Sequence, residues 1–299
     1  MVLSPMSLGI AFKGPEGLVL AADSRVTLLA QIQGGLVPPG TQVVMPATFD
    51  NATKLLSVPS QKHVAAITYG AGAIGLQAPR TAASFMPEFD FNLTQETKSR
   101  LTVEDFAKEL SAFFAAQWTT AGMPAAGTAA AQNQDMVFIV AGYDDEKAPY
   151  GRIYEVKIPS SPTPIELLSG GQFGAAWGGQ RELTDRLLQG FDPQLPMLVQ
   201  QHLNVPVADQ QAAAAALSAA LSTKLTIPIP WQFLPLQDCV DLSIFLLRTT
   251  ITLQKWTVGI RGVGGAIDLA TITRTGFSPI QQKRISGEQT QARNNKRED

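Results

Sequence analysis

Histidine and cysteine carry much of enzyme chemistry, and this sequence is sparing with both: His63 and His202 are its two histidines and Cys239 its one cysteine. A Ser-His or Cys-His catalytic pair must therefore use one of two imidazoles, and a multi-histidine metal centre lacks ligands. A single thiol excludes an intrachain disulfide framework and a zinc site built on several thiolates. Nothing beside His63 or His202 has ligand spacing, so both are expected to be structural or surface residues and Cys239 a small core residue. No metal and no cofactor is expected. The glycine cluster Gly259-Ile-Arg-Gly262-Val-Gly264-Gly265 lacks a P-loop lysine and does not open a helix, so it gives no nucleotide site.

The chain that must position any such chemistry has 299 residues, 45% of them hydrophobic and 16% charged, enough to bury a large core in one or two domains. Whole-chain disorder is excluded. A formal net charge of -2 provides no basic field for phosphate backbones or anionic lipid, so neither nucleic acid nor a membrane is expected as a partner. The opening residues MVLSPMSLGIAFKG lack a basic segment followed by a long apolar one, and no run of about 18 apolar residues occurs elsewhere, which makes the cytoplasm the expected compartment.

Along the chain, Leu8 to Lys13 and Leu18 to Ala22 flank Gly14-Pro15-Glu16-Gly17 and predict a hairpin, with Ser7 at its open end. Leu29 to Asn51 is rich in Gly, Pro and Gln without periodicity and reads as a long loop or inserted ribbon. Strands are predicted at Lys54 to Val58 and Val64 to Tyr69, the latter ending at Gly70-Ala71-Gly72. Thr102 is placed to cap a helix running through Phe114, with Glu104 and Asp105 in its first turn. Met136 to Gly142 and Gly151 to Ile158 make a second hairpin, and Trp177-Gly178-Gly179-Gln180 leads into a helix through Leu188. An alanine-rich helix follows at Ala208 to Leu221. Leu236, Val240, Ile244, Leu247 and Ile251 form the apolar stripe of a buried helix, and Ala266 to Ile272 is a closing strand. Strands in hairpins, with helices between and after them, imply an α+β fold of antiparallel sheets covered by helices.

The segment Ser7-Leu-Gly-Ile-Ala-Phe-Lys-Gly-Pro-Glu-Gly-Leu-Val-Leu-Ala-Ala-Asp23-Ser24-Arg25-Val-Thr27 resembles the opening of the proteasome β-subunit family, as a divergent bacterial-type orphan subunit. The resemblance extends through Ala52-Thr53-Lys54-Leu55-Leu56-Ser57-Val58, Val140-Ala-Gly142-Tyr-Asp144, the Leu236 to Ile251 helix and Gly264-Gly265-Ala-Ile-Asp268. It implies an N-terminal-nucleophile (Ntn) hydrolase fold, a four-layer αββα sandwich of two antiparallel sheets flanked by helices. In that family a nucleophilic hydroxy residue opens the mature chain sixteen positions before the aspartate, and counting back from Asp23 gives Ser7. The resemblance likewise assigns Asp23 and Lys54 to catalysis, and Thr27 and Gly70 to the substrate backbone and the oxyanion. It divides the chain into residues 1–6 as a leader or a misassigned start, with Met6 as an alternative initiator, a hydrolase domain at 7–280 with an inserted loop at 29–51, and a disordered polar tail at 281–299.

Such a site needs no histidine. A serine hydroxyl is a poor nucleophile at neutral pH, but an N-terminal residue brings its own base, an α-amine that titrates near 8. A lysine beside it lowers the pKa of amine and hydroxyl, a carboxylate fixes that lysine, and a backbone N–H near Gly70 can hold the oxyanion. Three features depart from the family pattern. Ser7 stands where threonine is usual. The Asp-x-x-Ser that precedes the family's glycine pair is Ile260-Arg261-Gly262-Val263 here, and its Gly-Ser-Gly-like turn is Gly178-Gly179-Gln180. The expected function is peptidase action on a peptide or unfolded protein through Ser7. The alternatives are a catalytically inactive structural subunit of a homo-oligomeric ring and a small-molecule amidase on the same fold. A homo-oligomer ring is the expected assembly, and an ATPase partner is left open.

Overall fold

A computed structural model describes residues 7–32, 43–75, 78–95, 99–128, 134–259 and 261–281. The expectations for residues 1–6, for Ile260 and for the tail beyond residue 281 lie outside these. Strands β1 (Leu8–Lys13) and β2 (Leu18–Asp23) form the predicted hairpin. The ribbon reading of Leu29 to Asn51 replaces the loop: β3 (Val26–Ile32) and β4 (Val43–Phe49) pair from Val26 with Phe49 to Ile32 with Val43. Pro46 hides this strand from sequence patterning. It pairs with Leu29 and has no N–H to give a ladder, which is why proline argues against a strand in the sequence.

Next come β5 (Leu55–Leu56), β6 (Val64–Gly70), α1 (Ala82–Gln95), α2 (Val103–Thr120), β7 (Met136–Gly142), β8 (Arg152–Ile158), β9 (Ser161–Leu167) and β10 (Gly174–Gly179). Helices α3 (Glu182–Leu188), α4 (Leu195–His202), α5 (Val207–Leu225) and α6 (Leu236–Gln254) precede β11 (Ile267–Thr273) and β12 (Gly276–Gln281). Thr102 caps α2 as predicted, its hydroxyl accepting from the Asp105 N–H. Helix α1, with Pro87 inside it, and strands β9, β10 and β12 carry no period readable in the sequence.

The fold is α+β. Among the described residues one sheet has the order β10-β1-β2-β11-β12 and the other β5-β6-β7-β8-β9, with antiparallel pairing throughout. Period-2 alternation divides the central strands between two apolar layers. In β7, Val137, Ile139 and Ala141 join Leu18, Leu20 and Ile272 in one cluster, while Met136, Phe138 and Val140 join Phe89, Phe106 and Phe114 of α1 and α2 in another. Leu8, Ile10 and Phe12 of β1 turn the other way and pack with Val240, Leu246 and Leu247 of α6. Tyr69 of β6 lies so close to β10 that a Cβ on Gly178 would come 2.1 Å from its hydroxyl, so only glycine fits there.

The buried stripe of α6 is displaced from the predicted one. It comprises Cys239, Val240, Ser243, Leu246, Leu247 and Thr250, while Ile244 is only half-buried. Two polar residues can sit in that stripe because each satisfies itself: Ser243 Oγ donates to the Cys239 carbonyl at 2.7 Å and Thr250 Oγ1 to that of Leu246 at 2.9 Å. Cys239 is buried, which pushes its thiol up to about 11. Among the described residues no helix is long and apolar enough to cross a membrane.

Candidate active site

The sixteen-residue spacing from Ser7 to Asp23 has a direct structural reading. The β1–β2 register sets Gly9 opposite Ala22, so the hairpin's open end returns Asp23 to the start of β1. There the Leu8 N–H donates to Asp23 Oδ1 at 3.1 Å. Asp23 also ends a central strand paired with β11, and it is fully buried. The Arg25 and Gly264 N–H groups donate to its Oδ2 at 3.1 and 2.9 Å, and Lys54 Nζ to its Oδ1 at 2.6 Å. Four donors offset the desolvation that such a carboxylate would otherwise suffer.

Lys54 reaches this group from the other sheet. Its carbonyl accepts from the Thr68 N–H at 3.0 Å, which ties it to β6, and its own N–H lies 3.4 Å from Asp268 Oδ2. The residue is 5% exposed, and Nζ also donates to Ser7 Oγ at 2.7 Å. Burial pushes the ammonium pKa below its usual 10.5, an effect that Asp23 opposes. The two sheets thus bring together a serine hydroxyl, an amine of reduced basicity and a carboxylate bonded to that amine.

Ser7 is itself 3% exposed, and its carbonyl accepts from the Gln180 N–H at 2.7 Å. Gly179 takes φ +92°, where a Cβ would strike that carbonyl at 1.9 Å. A narrow cavity of about 20 Å³ adjoins the hydroxyl, lined by Ser7, Lys54, Thr68, Gly70, Gly72 and Thr81 among others. Gly70 lines it, held at φ +85° with the Asp135 carbonyl where a Cβ would go. Thr27 does not line it, although Val26 does. Its hydroxyl is buried without a hydrogen-bond partner among the described residues.

The glutamines were not legible as site residues. Where the sequence lacks the family's polar pair, the Val263 N–H donates to Gln254 Oε1 at 2.9 Å, and Gln254 Nε2 donates to Gln180 Oε1. Together with the Gln180 N–H on the Ser7 carbonyl and the Gly264 N–H on Asp23, these bonds close a circuit from Ser7 through Gln180, Gln254, the backbone of Val263 and Gly264, Asp23 and Lys54 back to the Ser7 hydroxyl. The only sequence cue is a glutamine in the last turn of a helix that precedes a glycine-rich loop. The histidines stay out of it: His63 Nε2 lies 2.8 Å from the Leu101 carbonyl, and His202 is exposed at the end of α4.

No family model matches the chain, and no curated protein does. Among solved structures it is similar to a Gly-1 mutant of Anbu from Hyphomicrobium sp. strain MC1, at 15% identity, with 97% of this chain and 94% of that one covered and a TM-score of 0.50. Another Anbu structure from the same strain matches at 15% identity over the same shares, with a TM-score of 0.48. These findings correct the assignment drawn from sequence resemblance: membership of the proteasome β-subunit family is not supported by any family match, and what the chain shares with Anbu is a fold.

Proposed function

We propose that this protein is an amide-bond hydrolase of the Ntn class, with Ser7 Oγ as nucleophile and Lys54 and Asp23 as the groups that activate it. The observation that carries this reading is the buried Asp23–Lys54–Ser7 chain, with contacts of 2.6 and 2.7 Å, opening on a cavity. The three apolar layers are read as those of an αββα sandwich, whose two sheets deliver Ser7 and Lys54 from opposite sides.

Ser7 Oγ attacks the substrate carbonyl carbon and its proton passes to an amine. Lys54 Nζ is in hydrogen-bond reach, and burial favours its neutral, accepting form. The α-amine of Ser7, when freed, is the second acceptor. The Gly70 segment holds the oxyanion, the leaving amine takes the proton back, and water hydrolyses the acyl-serine ester. Peptides or unfolded proteins are the proposed substrates and a ring of identical chains the assembly.

The test is the intact mass of the protein before and after exposure to a hydroxyl-reactive β-lactone or epoxyketone. One adduct on a chain beginning at Ser7, lost in Ser7→Ala, supports the reading. Absence of any adduct, or an adduct that persists in Ser7→Ala, overturns it and leaves the structural-subunit alternative.

A further inference from the structure

A second site lies at the far end of the sheets. A cavity of about 340 Å³ is lined by residues 59–63 before β6, by the β11–β12 turn at 274–276, and by Arg100 and Glu146. Strand β6 begins at this end with Val64 and reaches the Ser7 cavity with Gly70, so its seven residues separate the two by roughly 20 Å.

Its lining is cationic in a protein whose net charge is slightly negative. Lys62, Arg100 and Arg274 face it against one carboxylate, Glu146. Among the described residues neither arginine forms an ion pair; both are held by backbone carbonyls. Arg100 Nε donates to the Asp144 carbonyl at 2.9 Å and Nη2 to that of Tyr143 at 3.1 Å, while Arg274 Nη2 donates to the Pro149 carbonyl at 3.0 Å. A carbonyl fixes a guanidinium without neutralising it, so the remaining N–H donors are oriented at little further entropic cost. The neighbouring acids are engaged elsewhere: Asp144 with the Val103 N–H and Arg152, Asp90 with Ser60.

We propose that this cavity binds the phosphate group of a small phosphorylated molecule. Three cations against one carboxylate leave two positive charges, which match a phosphate monoester dianion better than a carboxylate, and planar guanidiniums pair with phosphate oxygens two at a time. The volume exceeds what phosphate alone fills and lies within the range of small-ligand pockets.

Calorimetric titration of the full chain with inorganic phosphate, glycerol 3-phosphate and glycerol at about pH 8, where the phosphate is a dianion, tests it. Glycerol 3-phosphate should bind, with Lys62→Glu and Arg274→Gln each weakening it about tenfold and Glu146→Gln tightening it about threefold. Glycerol should not bind, and Ser7→Ala should leave the titration unchanged. The Lys62 side chain makes no hydrogen bond or ion pair among the described residues, and its carbonyl keeps the Phe277 N–H at 2.8 Å whatever the side chain, so its variant is not exposed to a folding defect from a lost contact. Tighter binding of the ester than of inorganic phosphate identifies a phosphorylated small molecule as the ligand; equal binding identifies free phosphate. No heat with either at millimolar concentration, or affinities indifferent to all three substitutions, overturns the proposal.

Discussion

Replacing Lys54 by methionine separates what this residue does for the fold from what it does for Ser7. The side chain keeps its length and loses its charge, leaving Asp23 buried with three backbone N–H donors instead of four partners. Removing one member of a buried pair ordinarily costs about 3–5 kcal/mol, and the retained donors place this case near the lower end, about 3 kcal/mol. The effect on reactivity is worked separately. At an effective dielectric constant of about 20, an ammonium 2.7 Å from an alkoxide stabilises it by about 6 kcal/mol. Proton-transfer catalysis by a placed group realises about two to four orders of magnitude. Covalent labelling of Ser7 by a β-lactone, followed by intact mass, should therefore slow about 1,000-fold in Lys54→Met. The double variant Lys54→Met/Asp23→Asn removes both charges and should recover most of the lost stability in urea denaturation while remaining slow to label. A single variant that labels within about threefold of the parent, or a double variant that regains labelling along with stability, would refute the assignment of Lys54 as the activating group.

The hydrogen-bonded circuit makes Gln254 a positioning residue: Gln254→Ala should slow Ser7 labelling about tenfold while costing about 1–2 kcal/mol in denaturation, since Val263 N–H and Gln180 both lose a partner. Phe114, which packs on Phe138 with ring centroids 4.6 Å apart in the layer between α2 and β7, should cost about 3–5 kcal/mol as Phe114→Ala, read as a shift of the urea midpoint with labelling per folded molecule unchanged. The pH dependence has a definite sign. Burial holds Lys54 below 10.5, so between its folded and unfolded pKa the unfolded chain binds more protons, and stability contributed here rises with pH across that window. Lys13, also lowered by burial, adds a slope of the same sign; denaturation titrations of the parent and Lys54→Met should differ by a loss of slope below 10.5, and identical slopes would contradict the burial argument.

Much of this protein was legible from its amino acids because the signals are local. Gly14-Pro15-Glu16-Gly17 between two apolar runs makes the β1–β2 hairpin, and that hairpin's register is the reason Ser7 and Asp23 lie sixteen apart and end side by side. The Thr102 cap and the alternating β7 likewise follow from nearest-neighbour chemistry. Elements whose pattern is interrupted were harder to read: α1, which runs through Pro87, was not predicted, the ribbon at Leu29 to Asn51 was left open against a loop, and α6 was predicted from a stripe other than the one it buries, because Ser243 and Thr250 each bond their own helix. The placement of Lys54 against Ser7 needs two sheets to meet, and the closure through Gln180 and Gln254 joins residues 74 apart. The far-end cavity gathers Lys62, Arg100, Glu146 and Arg274 from separate turns. Sequence by itself determined the two hairpins β1–β2 and β7–β8, strand β6 and the Thr102 cap, since those depend on neighbours along the chain. Tertiary structure alone decided which amine, which amides and which cations share a site, because contacts between distant segments follow from how layers pack and leave no period in the sequence.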